Sequence, residues 1–438
     1  MNTLTFSYTN SLISEKELLQ TASKLTEEII RMNRATQQGY EDERASLNLP
    51  FDTQAVGNVK QIIQKKKIHQ PRYLIVVGIG GSNLGTMAVA DAVQGKFSNY
   101  LTNTTKVFYA DTVDSDLLHP ILRLTESVLQ KKENILVNVI SKSGHTTETL
   151  ANFEVLVDLL QKKVPRYAEH VVVTTEKDSE FFRLAVQKGF DVLEIPKKVG
   201  GRYSVFSPVG LFPLGFLGVN IDELLHGARM MRERCLSSNL LENPAVVSAS
   251  FIYLYKQKGK SIHDLFLFNP DLESIGRWYR QLMGESIGKE FNKQHEQVFE
   301  GVTPTVSIGS TDLHSMAQLY LGGPFDKFTT FVRVLRNNAD VRIPNLIDYA
   351  SLVTGIQGKS LDDVMTAILD GVQAAFRKGN RPYVEIVLPD KSAGSIGQLL
   401  QFKMMEMMYL GFLFGVNPFD QPNVEAYKSE TRKILQGN

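Results

Sequence analysis

The chain has 438 residues, with 48 basic and 47 acidic side chains and a net charge of +1, so its charge gives no reason to expect nucleic acid or an anionic membrane as partner. With 43% hydrophobic and 22% charged residues it reads as a globular protein long enough for two domains of ordinary size. Its single cysteine, Cys235, excludes an intrachain disulfide framework and suits a reducing compartment. The start Met1-Asn2-Thr3-Leu4-Thr5-Phe6 lacks the basic and apolar regions of a signal peptide, and no apolar run is long enough to span a membrane, so the cytoplasm is the expected location.

In chain order, Leu18, Leu19, Ala22, Leu25, Ile29 and Ile30 mark the apolar stripe of a helical arm that ends at Pro50. A second helical stretch near 56–67 leads to Tyr73–Val77, an apolar run suited to a strand covered on both faces. That strand opens into Gly78-Ile79-Gly80-Gly81-Ser82-Asn83-Leu84-Gly85. A dinucleotide fingerprint needs glycine where Asn83 stands, and no nucleotide-triphosphate loop occurs elsewhere. The glycines and Ser82 suit a sugar phosphate better.

Strand-like runs at 106–110, 134–140, 171–175 and 192–195 alternate with helical patterns. They predict a parallel sheet with helices on both faces and ligands beyond the carboxyl ends of the strands. The run 134–140 opens into Ser141-Lys142-Ser143-Gly144-His145-Thr146-Thr147-Glu148-Thr149, followed by Leu150, Phe153, Leu156, Val157 and Leu160 at helical spacing. Hydroxyls, one lysine and a glycine at a helix start, where free N–H groups favour an anion, read as a phosphate cradle. Taken alone, the segment could equally be an ordinary Ser/Thr-capped loop. Its position at a strand end, shared with the Gly78 turn, favours the cradle.

Next, Gly200-Gly201-Arg202-Tyr203-Ser204 sets an always-charged guanidinium on a sharp turn. It could stabilise charge on an enediolate oxygen or tie the loop to a carboxylate. A helical region from 211 to about 258 is the expected passage between domains. Strands at 264–268, 303–308, 328–334 and 383–387, with helices near 275–289, 361–377 and 396–414, form a second α/β set without a literal repeat.

In that set, Gln281-Leu282-Met283-Gly284-Glu285-Ser286-Ile287-Gly288-Lys289 places Glu285 among apolar neighbours, as suits a general base working near neutrality, although a solvated or paired Glu is commoner. Thr311-Asp312-Leu313-His314 puts a histidine at a helix start, where a capping or core role is the ordinary one. Phe419-Asp420-Gln421-Pro422 leads a helix carrying Lys428, where a lysine is usually solvated. The eight histidines are dispersed, and His295-Glu296 lacks a second histidine at metal-ligand spacing. There is no nucleophile elbow.

In this order and with these residues, the chain resembles the glucose-6-phosphate isomerase family, of the compact bacterial type, from end to end. Gly-Gly-Arg-Tyr-Ser and Phe-Asp-Gln-Pro-x-Val-Glu-x-x-Lys are the most specific stretches. The resemblance implies an α/β fold of two sugar-isomerase (SIS-type) doubly wound parallel-sheet domains with helical terminal extensions. The expected divisions are a helical arm over 1–50, domains over 51–215 and 216–410, and a helical segment over 411–438. It also implies a homodimer whose active site is shared between subunits, and interconversion of glucose 6-phosphate and fructose 6-phosphate in glycolysis and gluconeogenesis with no cofactor and no metal.

Carried over by residue, Ser141, Lys142, Ser143 and Thr146 would bind the phosphate, with Gly81 and Ser82 lining the pocket. Glu285 would move the proton between C2 and C1, Arg202 would hold the enediolate, and Gln281 would orient it. His314, from the neighbouring subunit, and Lys428 would open the sugar ring, with Gln421 nearby. Departures are Ser143-Gly144-His145 for the more usual Thr-Phe-Thr or Ser-Gly-Thr, and Asn423 for a common Gly, Asn being tolerant of a positive φ. Rival readings are a non-catalytic sugar-phosphate sensor on the same fold and an isomerase that also accepts mannose 6-phosphate.

Overall fold

The computed structural model describes residues 3–101 and 104–437; Met1 and Asn2, the start of the expected arm, lie outside them. The strands are β1 (Thr5–Ser7), β2 (Tyr73–Val77), β3 (Lys106–Ala110), β4 (Ile135–Ile140), β5 (Val171–Glu176) and β6 (Asp191–Ile195). They continue with β7 (Ile262–Leu267), β8 (Lys289–Phe291), β9 (Gln297–Glu300), β10 (Thr303–Ile308), β11 (Lys327–Val334) and β12 (Tyr383–Leu388).

The first sheet has the order β3-β2-β4-β5-β6, and every pairing is parallel. All residues of β2 and β4 are buried, which is why β2 reads as an unbroken apolar run and β4 as one interrupted by Asn138, whose amide donates to the Val172 carbonyl and to Thr174 Oγ1. The chain passes from β2 to β3 on one side and then back to β4 on the other, so the order reverses between β2 and β4. Val77 lies between Ala110 and Val139 in register. The two loops that leave β2 and β4 therefore emerge side by side at the switch point, where open α/β sheets leave a crevice for ligands.

The second sheet runs β1-β12-β11-β7-β10; its pairings are parallel apart from β1, which is antiparallel to β12. The arm expected to be helical thus begins with a strand. Helices follow at Glu15–Ser23 and Thr26–Ala35, but Thr5–Ser7 is too short to show an alternating pattern. The helix expected to reach Lys289 stops at Ile287, and β8 and β9 form a small antiparallel sheet.

The passage after 211 is three helices, Pro208–Phe216, Ile221–Cys235 and Pro244–Gln257, the last two capped by Asn220 and Asn243. The helix Ala393–Leu413 is buried from Ala393 to Gly411 and continues past residue 410. It lies against Ile221–Cys235 with backbones touching: a Cβ on Gly227 would fall 1.9 Å from the Gly394 carbonyl oxygen. Only glycine permits that approach.

Candidate active site

The loop after β4 is held from behind. The Ser141 N–H donates to the Thr174 carbonyl, and the Glu176 N–H donates to the Lys142 carbonyl, both at 3.1 Å. The buried Thr175 hydroxyl donates to the Ser141 carbonyl at 2.7 Å. Gly144 has φ +71°, and a Cβ there would lie 2.7 Å from Phe181 Cβ. The backbone conformation and the packing both demand glycine.

The front of the loop offers donors. The Ser141 and Thr146 hydroxyls are hydrogen-bonded to each other at 3.0 Å. Thr146 is the N-cap of the helix Thr147–Lys163 but gives it no side-chain cap, which leaves the first N–H groups open to an anion. Lys142 is half-buried and makes no ion pair among the described residues. Burial pushes its ammonium below the usual lysine range; Glu176 opposes this and Lys197 adds to it. A phosphate would relieve that desolvated charge. Ser143 is exposed and accepts the His145 N–H at 3.3 Å, while the His145 ring turns toward Glu180, 3.9 Å away.

The turn after β2 lies against the Arg202 turn. A Cβ on Gly81 would fall 2.1 Å from the carbonyl carbon of Gly201, and one on Gly80, at φ +60°, would fall 2.9 Å from Gln281 Nε2. The glycines and the adjoining Ser82 thus bring the crevice of the first sheet into contact with the helix Glu273–Ile287.

Arg202 is 1% exposed, and all three of its nitrogens donate. Nε bonds Ser286 Oγ at 2.9 Å. Nη1 bonds Gln421 Oε1 at 2.7 Å and Glu285 Oε2 at 3.2 Å. Nη2 bonds the carbonyls of Pro418 at 2.6 Å and Asp420 at 3.0 Å. Glu285 is held on its other oxygen by Gln281 Nε2 at 3.0 Å, one helical turn away. The Gln281 amide oxygen is buried with no hydrogen-bond partner among the described residues. Glu285 keeps 29% of its side chain exposed, so a substrate can reach the carboxylate. Of the two readings of Arg202, the tie to a carboxylate is seen, and that carboxylate is Glu285.

The model of the phosphoglucose isomerase family matches residues 63–437. The chain belongs to the phosphoglucose isomerase family. It is 38% identical over 371 residues to the glucose-6-phosphate isomerase of Carboxydothermus hydrogenoformans, covering 83% of this chain and 79% of that one. With the glucose-6-phosphate isomerase of Rubrobacter xylanophilus it shares 33% over 437 residues and 98% of each chain. The fold matches a hypothetical protein from Thermus thermophilus at TM-score 0.86, with 31% identity over 99% of both chains. A glucose-6-phosphate isomerase structure from Chlamydia trachomatis matches at TM-score 0.84, covering 99% of this chain and 88% of that one; at 23% identity this shows a common fold.

In this phosphoglucose isomerase family member the residues singled out from sequence fall into three groups. Arg202 bonds Glu285 and Gln421, Gln281 bonds Glu285, and Gly81 packs against the Arg202 turn with Ser82 next to it. Ser141, Lys142, Ser143 and Thr146 form the cradle. His314 and Lys428 stand apart. His314 lies exposed on the turn Thr311–His314, and no hydrogen bond or ion pair joins it to Arg202 or Glu285. Lys428, on the helix Pro422–Leu435, pairs with Glu425 at 2.8 Å. Asn423 needs no positive φ: it sits in that helix and donates to Glu290 at 2.9 Å.

Three groups escaped the sequence reading. Ser286 bonds both Arg202 and the Tyr203 hydroxyl, each at 2.9 Å. Thr175 braces the cradle. The Pro418 and Asp420 carbonyls orient the guanidinium. Ser286 adjoins Glu285 and could have been flagged; a backbone carbonyl leaves no mark in a sequence. Among the described residues no group of three or more His, Cys, Asp or Glu is placed to hold a metal ion, and no helix is long and apolar enough to cross a membrane.

Proposed function

We propose that the chain interconverts glucose 6-phosphate and fructose 6-phosphate by ring opening followed by proton transfer through an enediolate. The carrying observation is Glu285, fixed on one oxygen by Gln281 and on the other by Arg202, beside a turn that abuts the crevice of the first sheet. In the proposal the phosphate sits on Ser141, Lys142, Ser143, Thr146 and the Thr147 helix start, with Gly81 and Ser82 completing the pocket. This anchors the sugar so that C1 and C2 reach Glu285.

A proton next to a carbonyl is only weakly acidic, so the carboxylate that removes it must act together with a group that stabilises the oxygen left negative. Arg202 is that group: its Nη1 edge already faces Glu285 and Gln421. The same carboxyl returns the proton to the neighbouring carbon. No electron carrier is required, because one carbon is oxidised as the other is reduced.

The closed sugar has no free carbonyl, so a separate acid and base must first open it, and we assign this to His314 and Lys428. The exposed His314, unconnected to the Glu285 cluster of its own chain, supports a homodimer in which each subunit lends its histidine to the other. We take the two sheets as two domains spanning 51–215 and 216–410 between terminal extensions, and place the protein in the cytoplasm.

A coupled assay with fructose 6-phosphate, run with and without EDTA, tests the reaction: turnover unaffected by chelator is expected, and inhibition reversed by added metal would reject the mechanism. Mixing unfolded Glu285→Gln and His314→Ala chains and refolding them tests the shared site. Each variant alone should be inactive, whereas the mixture should recover about a quarter of parental activity, because each heterodimer has one complete site.

A further inference from the structure

We infer that Lys289 is a positioning residue for proton transfer, tying the backbone of the general base to the loop that holds the oxyanion-stabilising arginine. The inference rests on the roles proposed for Glu285 and Arg202. Lys289 begins β8, just past the end of the Glu273–Ile287 helix, and its side chain is only 4% exposed. An ammonium has three protons to place. Here its acceptors are the Glu285 carbonyl at 2.9 Å, the Asp420 carbonyl at 2.5 Å and Asp420 Oδ1 at 2.9 Å.

Burying a cation is costly unless it is paired and hydrogen-bonded. Burial pushes the Lys289 ammonium below the usual lysine range, and the Asp420 carboxylate works against that shift. An apolar side chain could fill the space without that cost, but it could not join these three acceptors.

Those acceptors lie on both sides of the Arg202–Glu285 contact. The first is the main chain of the base itself, in the last turn of its helix, where carbonyls lack intrahelical partners. The second, the Asp420 carbonyl, also accepts from Arg202 Nη2. One oxygen is therefore shared by two cations, and the same loop presents Gln421 to Arg202 Nη1. With Lys289 in place, Nη2 stays on the loop and Nη1 is directed at Glu285. Without it, the Glu285 main chain loses its own tie to the loop, and the helix end is held to the loop through the guanidinium that the reaction must use and through the Tyr203 hydroxyl, which bonds Ser286 and the Pro418 carbonyl. Among the described residues, no hydrogen bond or ion pair joins Lys289 to a cradle residue.

The test uses the full-length Lys289→Met variant, which keeps the length of the side chain and removes its charge and donors. The readouts are kcat and KM for glucose 6-phosphate, competitive inhibition by inorganic phosphate, and the isotope effect with substrate deuterated at C2. Loss of alignment between base and stabiliser should lower kcat by about 10- to 100-fold, with KM and phosphate inhibition within about threefold of the parent. The isotope effect on kcat should rise as proton transfer becomes limiting.

A kcat within about twofold of the parent would overturn the inference, and so would phosphate inhibition weakening in step with kcat, which marks general damage. Should Lys289→Met fail to fold, Asp420→Asn carries the test, since that side chain is half exposed and its carbonyl is retained. It should lower kcat by about 3- to 10-fold with phosphate inhibition unmoved, and an unchanged kcat overturns the inference. Glu285→Gln is assayed alongside. Turnover in that variant refutes the proton-transfer roles themselves; an inactive Glu285→Gln beside a normal Lys289→Met refutes the inference alone.

Discussion

In the cradle, Ser141, Lys142, Ser143 and Thr146 come from one short stretch between β4 and the helix it feeds. In the cluster between the sheets, Arg202 meets its partners across separations of 83 to 219 residues. In the proposed function the cradle spreads its task over hydroxyls, a half-buried lysine and main-chain N–H groups, so each donor would carry a fraction of the binding. The cluster centres on one buried guanidinium with five acceptors. Substrate anchoring should therefore weaken in steps, whereas proton transfer should fail at a single substitution.

The sharpest way to break that contrast is Glu285→Gln, which keeps the shape and removes the base. It should lower kcat by about 10²- to 10⁴-fold while KM stays near the parental value, and steady-state kinetics with glucose 6-phosphate would show it. Arg202→Lys comes next. The charge survives, but an ammonium cannot reproduce a planar fork reaching Ser286, Glu285, Gln421 and two carbonyls. A fall in kcat/KM of about 10²- to 10³-fold is expected, and a loss under tenfold would show that the geometry of the fork is dispensable.

Ser141→Ala probes the opposite region. It removes one hydroxyl from a set of anion donors, so KM and the inhibition constant for inorganic phosphate should rise together by about tenfold, with kcat little changed. A collapse of kcat instead would mean that the cradle is as unforgiving as the cluster.

The smallest effect is a control lying in neither region. Asp264 on β7 is fully buried; Thr305, Ser307 and the Tyr320 hydroxyl all donate to its Oδ1, while Oδ2 has no partner among the described residues. Burial raises its carboxyl to about 6, outweighing those bonds. Between the ordinary carboxylate range and pH 6 the folded state holds a proton that the unfolded chain has lost. Stability contributed by this group is thus full at low pH and declines as pH rises through that window, by on the order of 3 kcal/mol. Asp264→Asn should flatten that part of the profile in denaturant melts at several pH values; an unaltered slope would show that Asp264 does not titrate there.

The same contrast governs how much could be read in advance. The amino-acid sequence alone determined the alternation of strands and helices, because burial on both faces makes β2 and β4 predominantly apolar runs and helical stripes repeat at their own period. It also determined that the Gly78 and Ser141 loops sit at strand ends, and it marked Arg202, Glu285, Gln281 and Gln421 through local motifs.

What only the tertiary structure decided is which of those motifs touch. The pairing of β2 with β4 sets the two loops side by side, and glycine contacts between Gly81 and Gly201 draw Arg202 onto the helix that carries Glu285. Ser286, Lys289, Thr175 and the carbonyls of Pro418 and Asp420 join the site only there, and β1 finds its place beside β12. Within one chain, no hydrogen bond or ion pair among the described residues joins His314 or Lys428 to the Glu285 cluster. The physical reason is that a local pattern records what a residue does to its own segment. A hydrogen bond to a distant main-chain oxygen is created by packing and leaves no trace in the order of side chains.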